Sequence, residues 1–478
     1  MEFEPVIGLE VHVQLNTETK IFCNCSTGFG AEPNMHTCPV CLGMPGVLPV
    51  LNEEVLKKGI LAGLALNAEV SEYSKFDRKN YFYPDLPKGY QISQYDKPIC
   101  TGGYIDIDTV NGEKRIGITR LHLEEDAGKS MHSEEPGVNE SYIDLNRTGV
   151  PLAEIVSEPD MRSGDEAYEY LQKLKTIMKY IDVSDVNMEE GSLRCDVNIS
   201  IREKGQTAFG EKVEIKNLNS FRAVRASINY EIERQTDLIL NGEKDSIVQE
   251  TRLWDADRNV TYSMRLKEDA HDYRYFPEPD LAPVVTDRSY IEEIMKGMPE
   301  LPDARRARFI SEHALPDYDA GVLTSVKQLA DYFEETVRCG AAPKRASNWI
   351  MSELLGRVED PEGLPEYIIT PSMLAGLLKL IEDSVISGKI AKKVFDEMIQ
   401  SGQDADSIVE KQGLRQVTDT SAIEAMVESV MAANPASVED YRNGKKKSLG
   451  FLVGQVMKES RGKANPQLVN EILLKKLS

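Results

Sequence analysis

The chain lacks any run approaching the roughly 20 apolar residues of a membrane-spanning helix. No basic-then-apolar leader precedes its first strand-like segment. Both absences exclude membrane and secretory classes and point to a soluble cytoplasmic protein. Basic charge is also in short supply, with 56 Lys and Arg against 79 Asp and Glu, a net charge of -23 over 478 residues. Non-specific nucleic-acid binding through the overall field is thereby disfavoured, so any RNA contact has to be local. Internal repeats and low-complexity tracts are missing, which excludes a solenoid. A phosphate-binding loop is missing too. Ala127-Gly-Lys-Ser130 imitates its end, but Leu123 stands where the first glycine belongs, and the acids at 124–126 repel a triphosphate.

Cysteine is present in an informative pattern. Cys23 and Cys25, then Cys38 and Cys41, form two close pairs across a loop punctuated by Gly28, Gly30, Pro33, Asn34 and Pro39. C-x-C-x12-C-x2-C suits a closed four-thiolate zinc site that holds a loop in place and does no chemistry. With four of seven cysteines so used, the remainder is odd and the compartment is a reducing one.

The first 290 or so residues alternate at period two. Ile7, Leu9, Val11, Val13 and Leu15 share one strand face, and Gly8, Glu10, His12 and Gln14 the other. Gly191 to Ile201 repeats the pattern, with Ser192, Arg194, Asp196, Asn198 and Ser200 outward, and Val213 and Ile215 alternate with Glu214 and Lys216. Helices are predicted over 165–180 and 220–240, so the class is α+β with a mixed or antiparallel sheet. After about Pro302 the period becomes helical, over 303–313, 325–339, 344–356, 371–383 and 387–400. A break at 401–406 precedes a last helical stretch, where Asn465-Pro466 starts the final helix.

Chemistry concentrates on the polar sheet face. Glu10 and His12 stand roughly 6–7 Å apart on one strand. Arg120–Asp126 offers His122, Glu124, Glu125 and Asp126, and Asn187–Ser192 adds Glu189 and Glu190. Carboxylates with an imidazole are a ligand set for a hard divalent cation. The competing reading is a solvated face of an acidic protein. The Pro- and Tyr-rich segment 76–90 presents Arg78, Lys79 and Lys88 beside aromatic rings as phosphate contacts, and 271–280 has the same build. Local basic charge gathers late, at Lys445, Lys446, Lys447, Arg461 and Lys463, where it either grips RNA phosphates or is simply solvated.

Together, Val6–Val13, Lys75–Pro84, Leu121–Lys129, Asp144–Leu152, Glu189–Asp196 and Tyr273–Asp280 resemble one family across the whole chain. It is the GatB family, the B subunits of glutamyl/aspartyl-tRNA amidotransferases. The resemblance implies a cradle domain over 1–293, a helical domain over 294–404 and a tRNA-binding helical tail over 405–478. It implies ATP-dependent phosphorylation of the side-chain carboxylate on mischarged Glu-tRNA(Gln) or Asp-tRNA(Asn), followed by amidation with ammonia. Mg2+ is implied at Glu10, His12 and Glu125, with Glu124, Glu190, Asp196 and Glu214 as further catalytic acids. ATP and phosphate contacts are implied at Arg78, Lys79, Tyr83, Lys88, Ser192 and Arg194. The chain carries no Ser-rich amidase nucleophile loop, so an amidase A subunit and a small C subunit are implied partners in a heterotrimer. The alternatives are a non-catalytic tRNA-binding scaffold and a free-standing carboxylate–amine ligase.

Overall fold

The computed structural model describes residues 2–132, 140–266, 273–416, 420–460 and 463–477. Arg461 and the start of the 271–280 segment lie outside them.

Alternation builds the first strand, β1 (Phe3–Gln14), as expected: Ile7, Leu9, Val11 and Val13 are buried, with Glu10, His12 and Gln14 opposite. Short strands β2 (Asp77–Asn80) and β3 (Tyr90–Ser93) follow. The main sheet continues with β4 (Gly112–Glu125), β5 (Pro151–Ser157), β6 (Leu193–Glu203), β7 (Val213–Lys216), β8 (Glu250–Asp255) and β9 (Val260–Leu266). Its spatial order is β9-β8-β7-β6-β1-β5-β4, extended at the β4 edge by two short strands. All these pairs are antiparallel except β7 with β8, so the sheet is mixed. The class is α+β.

Helices α1 (Glu53–Ala65), α2 (Gly164–Tyr180) and α3 (Phe221–Leu240) contribute buried side chains to the same core as the sheet's apolar rows. Ser163 and Ser220 cap α2 and α3, accepting from the N–H groups of Glu166 and Ala223. α1 approaches the sheet closely at Gly63, where an added Cβ would stand 2.2 Å from Cys100 Sγ. Helix α4 (Arg288–Gly297) crosses residue 293 and buries Ile294 in this core, with Met298 and Leu301 packed beside it. The first compact unit accordingly runs to Leu301.

The second unit, from Pro302, is helical and holds two separate apolar clusters. One draws on residues from Phe309 to Val409, so the helix Ala405–Lys411 joins it through Ala405, Ile408 and Val409. The other runs from Ile423 to Leu477. Thr370 and Ser387 cap their helices, and Asn465 caps the last one as the sequence suggests. The helix expected over 344–356 is instead an α-helix, Pro343–Trp349, that widens over Ile350–Leu354, where Leu355 N–H donates to the Ile350 carbonyl. A π turn inserts one residue and resets which side chains face inward. Ile350 and Leu354 are thereby both buried, and Glu353 reaches Arg357 and Lys392.

One buried charge ties α3 to the far side of the sheet. The Glu231 carboxylate is fully buried and accepts from Arg234 at 2.8 and 2.9 Å, Gln235 at 3.0 Å and Thr261 at 2.5 Å, with Arg252 Nε 3.2 Å away. Burial opposes its charge, but Arg234 and its hydrogen bonds hold the carboxyl below its ordinary range. Glu231→Ala leaves Arg234, Gln235 and Thr261 without their shared acceptor, while Arg252 keeps Glu250, and should cost about 1–3 kcal/mol. Urea unfolding read by Trp254 fluorescence in a Trp349→Phe background measures it. A depressed folded-state pKa stabilises above the unfolded value, so the gap to wild type should persist at neutral pH. It should close only as the pH falls below about 4.5.

Candidate active site

Register decides what the polar face brings together. His12 lies opposite Glu154 of β5, and Glu154 opposite His122 of β4, a row across three strands. His12 Nε2 stands 3.4 Å from Glu124 and 3.2 Å from Glu154. His122 Nε2 stands 3.2 Å from Glu154 and its Nδ1 3.3 Å from Arg120 Nε; burial opposes its charge, but Glu154 and Glu124 push its pKa up to about 9. Glu124 also accepts from Ser93 Oγ at 3.0 Å. Burial opposes charge on His12, yet hydrogen bonds to Glu124 and Glu154 push its pKa up to about 10. Burial likewise opposes ionisation of Glu124, and the two histidines draw it down.

A second set lies beside it. Glu10 is opposite Asp196, and Glu214 is opposite Asn198, which donates to Glu10 at 3.3 Å. Lys216 Nζ sits among these acids, 2.5 Å from Asp196 and 2.9 Å from Glu214. Burial, then Glu154, Glu214 and Asp196, raise the Glu10 carboxyl. The lysine offsets one of the three charges.

His12, Glu124 and Glu154 each bring a ligand atom within 4.8 Å of the others. Octahedral donors at 2.0–2.1 Å from Mg2+ are about 3–4 Å apart, so this set fits a hard divalent ion after modest contraction. Glu10, Asp196 and Glu214 meet the same distance criterion, with Lys216 already among them. The four cysteine sulfurs also lie within 4.8 Å of one another, a set able to hold a metal ion. Tetrahedral thiolates 2.3 Å from zinc are about 3.8 Å apart. Buried Lys20 supports them, with Nζ 3.8 Å from Cys41 Sγ and donating to the His36 carbonyl at 2.6 Å.

Glu10, His12 and Glu125 are not brought into one set. Side chains alternate along β4, so Glu124 faces His12 while Glu125 points to the opposite face. There it accepts from Lys88 and from the Ile92 N–H at 2.8 Å. Arg78 is held by Glu278 at 2.6 and 2.8 Å and lies over the Tyr90 ring at 4.2 Å. Lys79 forms no ion pair among the described residues. Its Nζ is 4.9 Å from the Tyr273 ring centroid, and although burial opposes its charge, Glu124 helps keep it raised. Tyr83 is half-exposed. Ser192 closes a turn, its hydroxyl accepting from Asn187 N–H at 2.7 Å and donating to the Asn187 carbonyl at 3.1 Å. Arg194 donates to Asp126 at 2.8 Å, and Glu190 is exposed, outside both acid sets. Lys445, Lys446 and Lys447 are exposed where the helix Lys447–Glu459 begins, Lys445 pairing with Asp440 at 2.9 Å, and Lys463 is half-buried.

Sequence reasoning missed Glu154, the third member of the His12 set. Its neighbours in β5 are almost all buried apolar residues, and a lone acid there is the signal. It also left segments 76–90 and 273–280 separate, whereas β2 pairs with Phe276–Pro277, Arg78 opposite Phe276.

A sheet face carrying gathered acids and histidines, followed by a helical second unit, matches a catalytic domain with an accessory region. The pattern of the GatB/GatE catalytic domain covers residues 5–292, and that of the GatB domain covers 331–477. Among similar proteins, the aspartyl/glutamyl-tRNA(Asn/Gln) amidotransferase B subunit of Carboxydothermus hydrogenoformans is 58% identical over 100% of this chain and 99% of its own. The protein of that name from Caldanaerobacter subterraneus is 56% identical over the full length of both chains. The chain belongs to the GatB family of amidotransferase B subunits.

The cysteine geometry predicts one thiolate-held metal ion per chain. Elemental analysis of freshly purified protein should find it, and all four thiols should react with a thiol reagent only after chelation. Absence of metal with four freely reactive thiols would contradict this. Cys38→Ser should lower soluble yield.

Proposed function

We propose that this chain carries out the ATP-dependent amidation of mischarged Glu-tRNA(Gln), Asp-tRNA(Asn) or both, in the cytoplasm. The observation carrying this reading is the set His12, Glu124 and Glu154 beside Lys79, an acid–imidazole pocket edged by a cation with no ion-pair partner among the described residues. The relatives' names supply the substrate class.

In this reading His12, Glu124 and Glu154 would hold Mg2+, whose charge would offset that of the phosphates. Lys79 neutralises charge on the transferred phosphoryl group, whose acceptor is the side-chain carboxylate of the mischarged amino acid. Ammonia then attacks the acyl phosphate and phosphate leaves, giving the amide. Glu10, Asp196 and Glu214, steadied by Lys216, hold the neighbouring polar surface and orient the reacting group. Arg194, already paired to Asp126, acts as a positioning cation, and Lys88 neutralises Glu125 on the opposite face. Ammonia comes from an amidase A subunit, with a small C subunit completing a heterotrimer, and the cysteine set holds structural zinc.

The direct test supplies the assembled enzyme with ATP, Mg2+, ammonium and each mischarged tRNA, and follows ADP and the amide. ADP formation should depend on mischarged tRNA. Glu10→Gln and Glu154→Gln should each lower ammonia-dependent amide formation by about 100-fold or more, because removing preorganised charge from phosphoryl transfer costs several kcal/mol. Near-normal activity in either would remove that residue from the site. No tRNA-dependent ADP at all would leave the scaffold reading.

We also assign tRNA recognition to residues 405–478, through Lys445, Lys446, Lys447, Arg461 and Lys463. Deleting 420–478, which spares the Ala405–Lys411 helix packed in the preceding cluster, should raise KM for mischarged tRNA and flatten the salt dependence of binding, while glutaminase activity of the partner persists. Unchanged tRNA affinity over a salt series would overturn the assignment.

A further inference from the structure

The loop following β2 leaves large aromatic rings in solvent, beside the His12–Glu124–Glu154 set. Phe82 is 89% exposed and Tyr83 55%, and Tyr95, just past β3, is 59% exposed. Apolar surface of this size is normally withdrawn from water, and a contiguous exposed patch marks a contact surface. The backbone that carries Phe82 and Tyr83 is closed into a turn. Tyr81 N–H donates to the Gly89 carbonyl at 3.2 Å, and Leu86 N–H to the Tyr83 carbonyl at 3.0 Å. Gly89 has φ +75°, and a Cβ there would come within 3.0 Å of the Phe82 ring. One edge of that ring therefore rests on bare backbone while most of it faces water.

The exposed rings continue inward as an aromatic ladder. Tyr83 meets Tyr81 edge-on at 6.3 Å, Tyr81 meets Tyr273 at 5.9 Å, and Tyr273 meets Tyr275 at 6.1 Å. Tyr275 stacks on Tyr95 at 4.2 Å, with the rings 9° from parallel. Lys79 lies over Tyr273, the middle ring of the ladder, and feels the charge of Glu124 and Glu154, so the ladder passes alongside the acid–imidazole pocket.

We propose that Phe82 and Tyr83 form a stacking platform for the terminal base of the tRNA 3′ end, delivering the esterified amino acid to the His12 set. This inference rests on the function proposed above and adds the residues that place its substrate. The openness of the platform selects the occupant. A free nucleotide needs a pocket enclosing most of its surface. A base at the end of a strand anchored elsewhere needs only a ring to stack on and a nearby cation for its backbone. The amino acid is esterified to the terminal ribose, so fixing the terminal base restricts the carboxylate to the space within one nucleotide's reach.

The test uses the assembled enzyme and tRNA(Gln) and tRNA(Asn) transcripts whose 3′-terminal adenine is replaced by 2-aminopurine. Stacking should quench its fluorescence on binding, without ATP and without catalysis. Phe82→Ala/Tyr83→Ala removes only exposed side chains, and it should abolish the quench and weaken binding by about 5–50-fold. KM for ATP should stay unchanged in the single Phe82→Ala variant, and Phe82→Trp/Tyr83→Trp should restore both quench and affinity. A tRNA lacking its terminal adenosine should bind the wild type more weakly but the Ala variant equally well. Overturning results are an unchanged quench in the Ala variant, an equal loss for both tRNAs, or a rise in KM for ATP alone, which would give the platform to ATP. Because the quench needs no turnover, it reads the platform even if tRNA-dependent ADP formation fails.

Discussion

Every feature of the candidate site follows from the cost of crowding carboxylates onto one partly buried sheet face. Glu10, Glu124, Glu154, Asp196 and Glu214 come from five adjacent strands, and like charges at such distances cannot all ionise without compensation. The chain supplies that compensation from within. His12 and His122 serve Glu124 and Glu154, and Lys216 serves Asp196 and Glu214. The residual repulsion shows in Glu10, whose carboxyl is raised by burial and by its acidic neighbours. A face balanced this closely is poised to exchange a proton on His12 for a metal cation.

The opposite side of the sheet makes this affordable. β1 lies between β5 and β6, with Ile7, Leu9, Val11 and Val13 buried against α2 and α3. That apolar row fixes register, since a one-residue slip would turn every buried side chain outward. Fixed register in turn places His12 opposite Glu154 and Glu10 opposite Asp196. Core and site are two faces of one alternation.

Much of this was legible in the sequence. Period-two alternation over 6–15 and 191–201 marked both faces, and Asn465-Pro466 marked the start of the last helix. Paired cysteine spacing marked the sulfur cluster. What escaped was pairing between distant segments. Glu154 joins the site only because β5 lies between β1 and β4, a fact no local pattern contains. Glu125 is instructive in the other direction: its parity on β4 separates it from Glu124, and alternation applied strictly to 120–125 would have assigned it to the Lys88 side. The π turn at 350–354 similarly follows from tertiary packing around Ile350 and Leu354 rather than from helical period.

The central claim is that the His12–Glu124–Glu154 pocket binds the divalent ion of phosphoryl transfer. Anomalous diffraction from crystals equilibrated with Mn2+ tests it most directly. The account predicts a peak bounded by His12 Nε2 and the carboxylates of Glu124 and Glu154, lost in His12→Ala. Binding only among Glu10, Asp196 and Glu214 with Lys216 displaced, or no peak on the sheet face at saturating Mn2+, would contradict it.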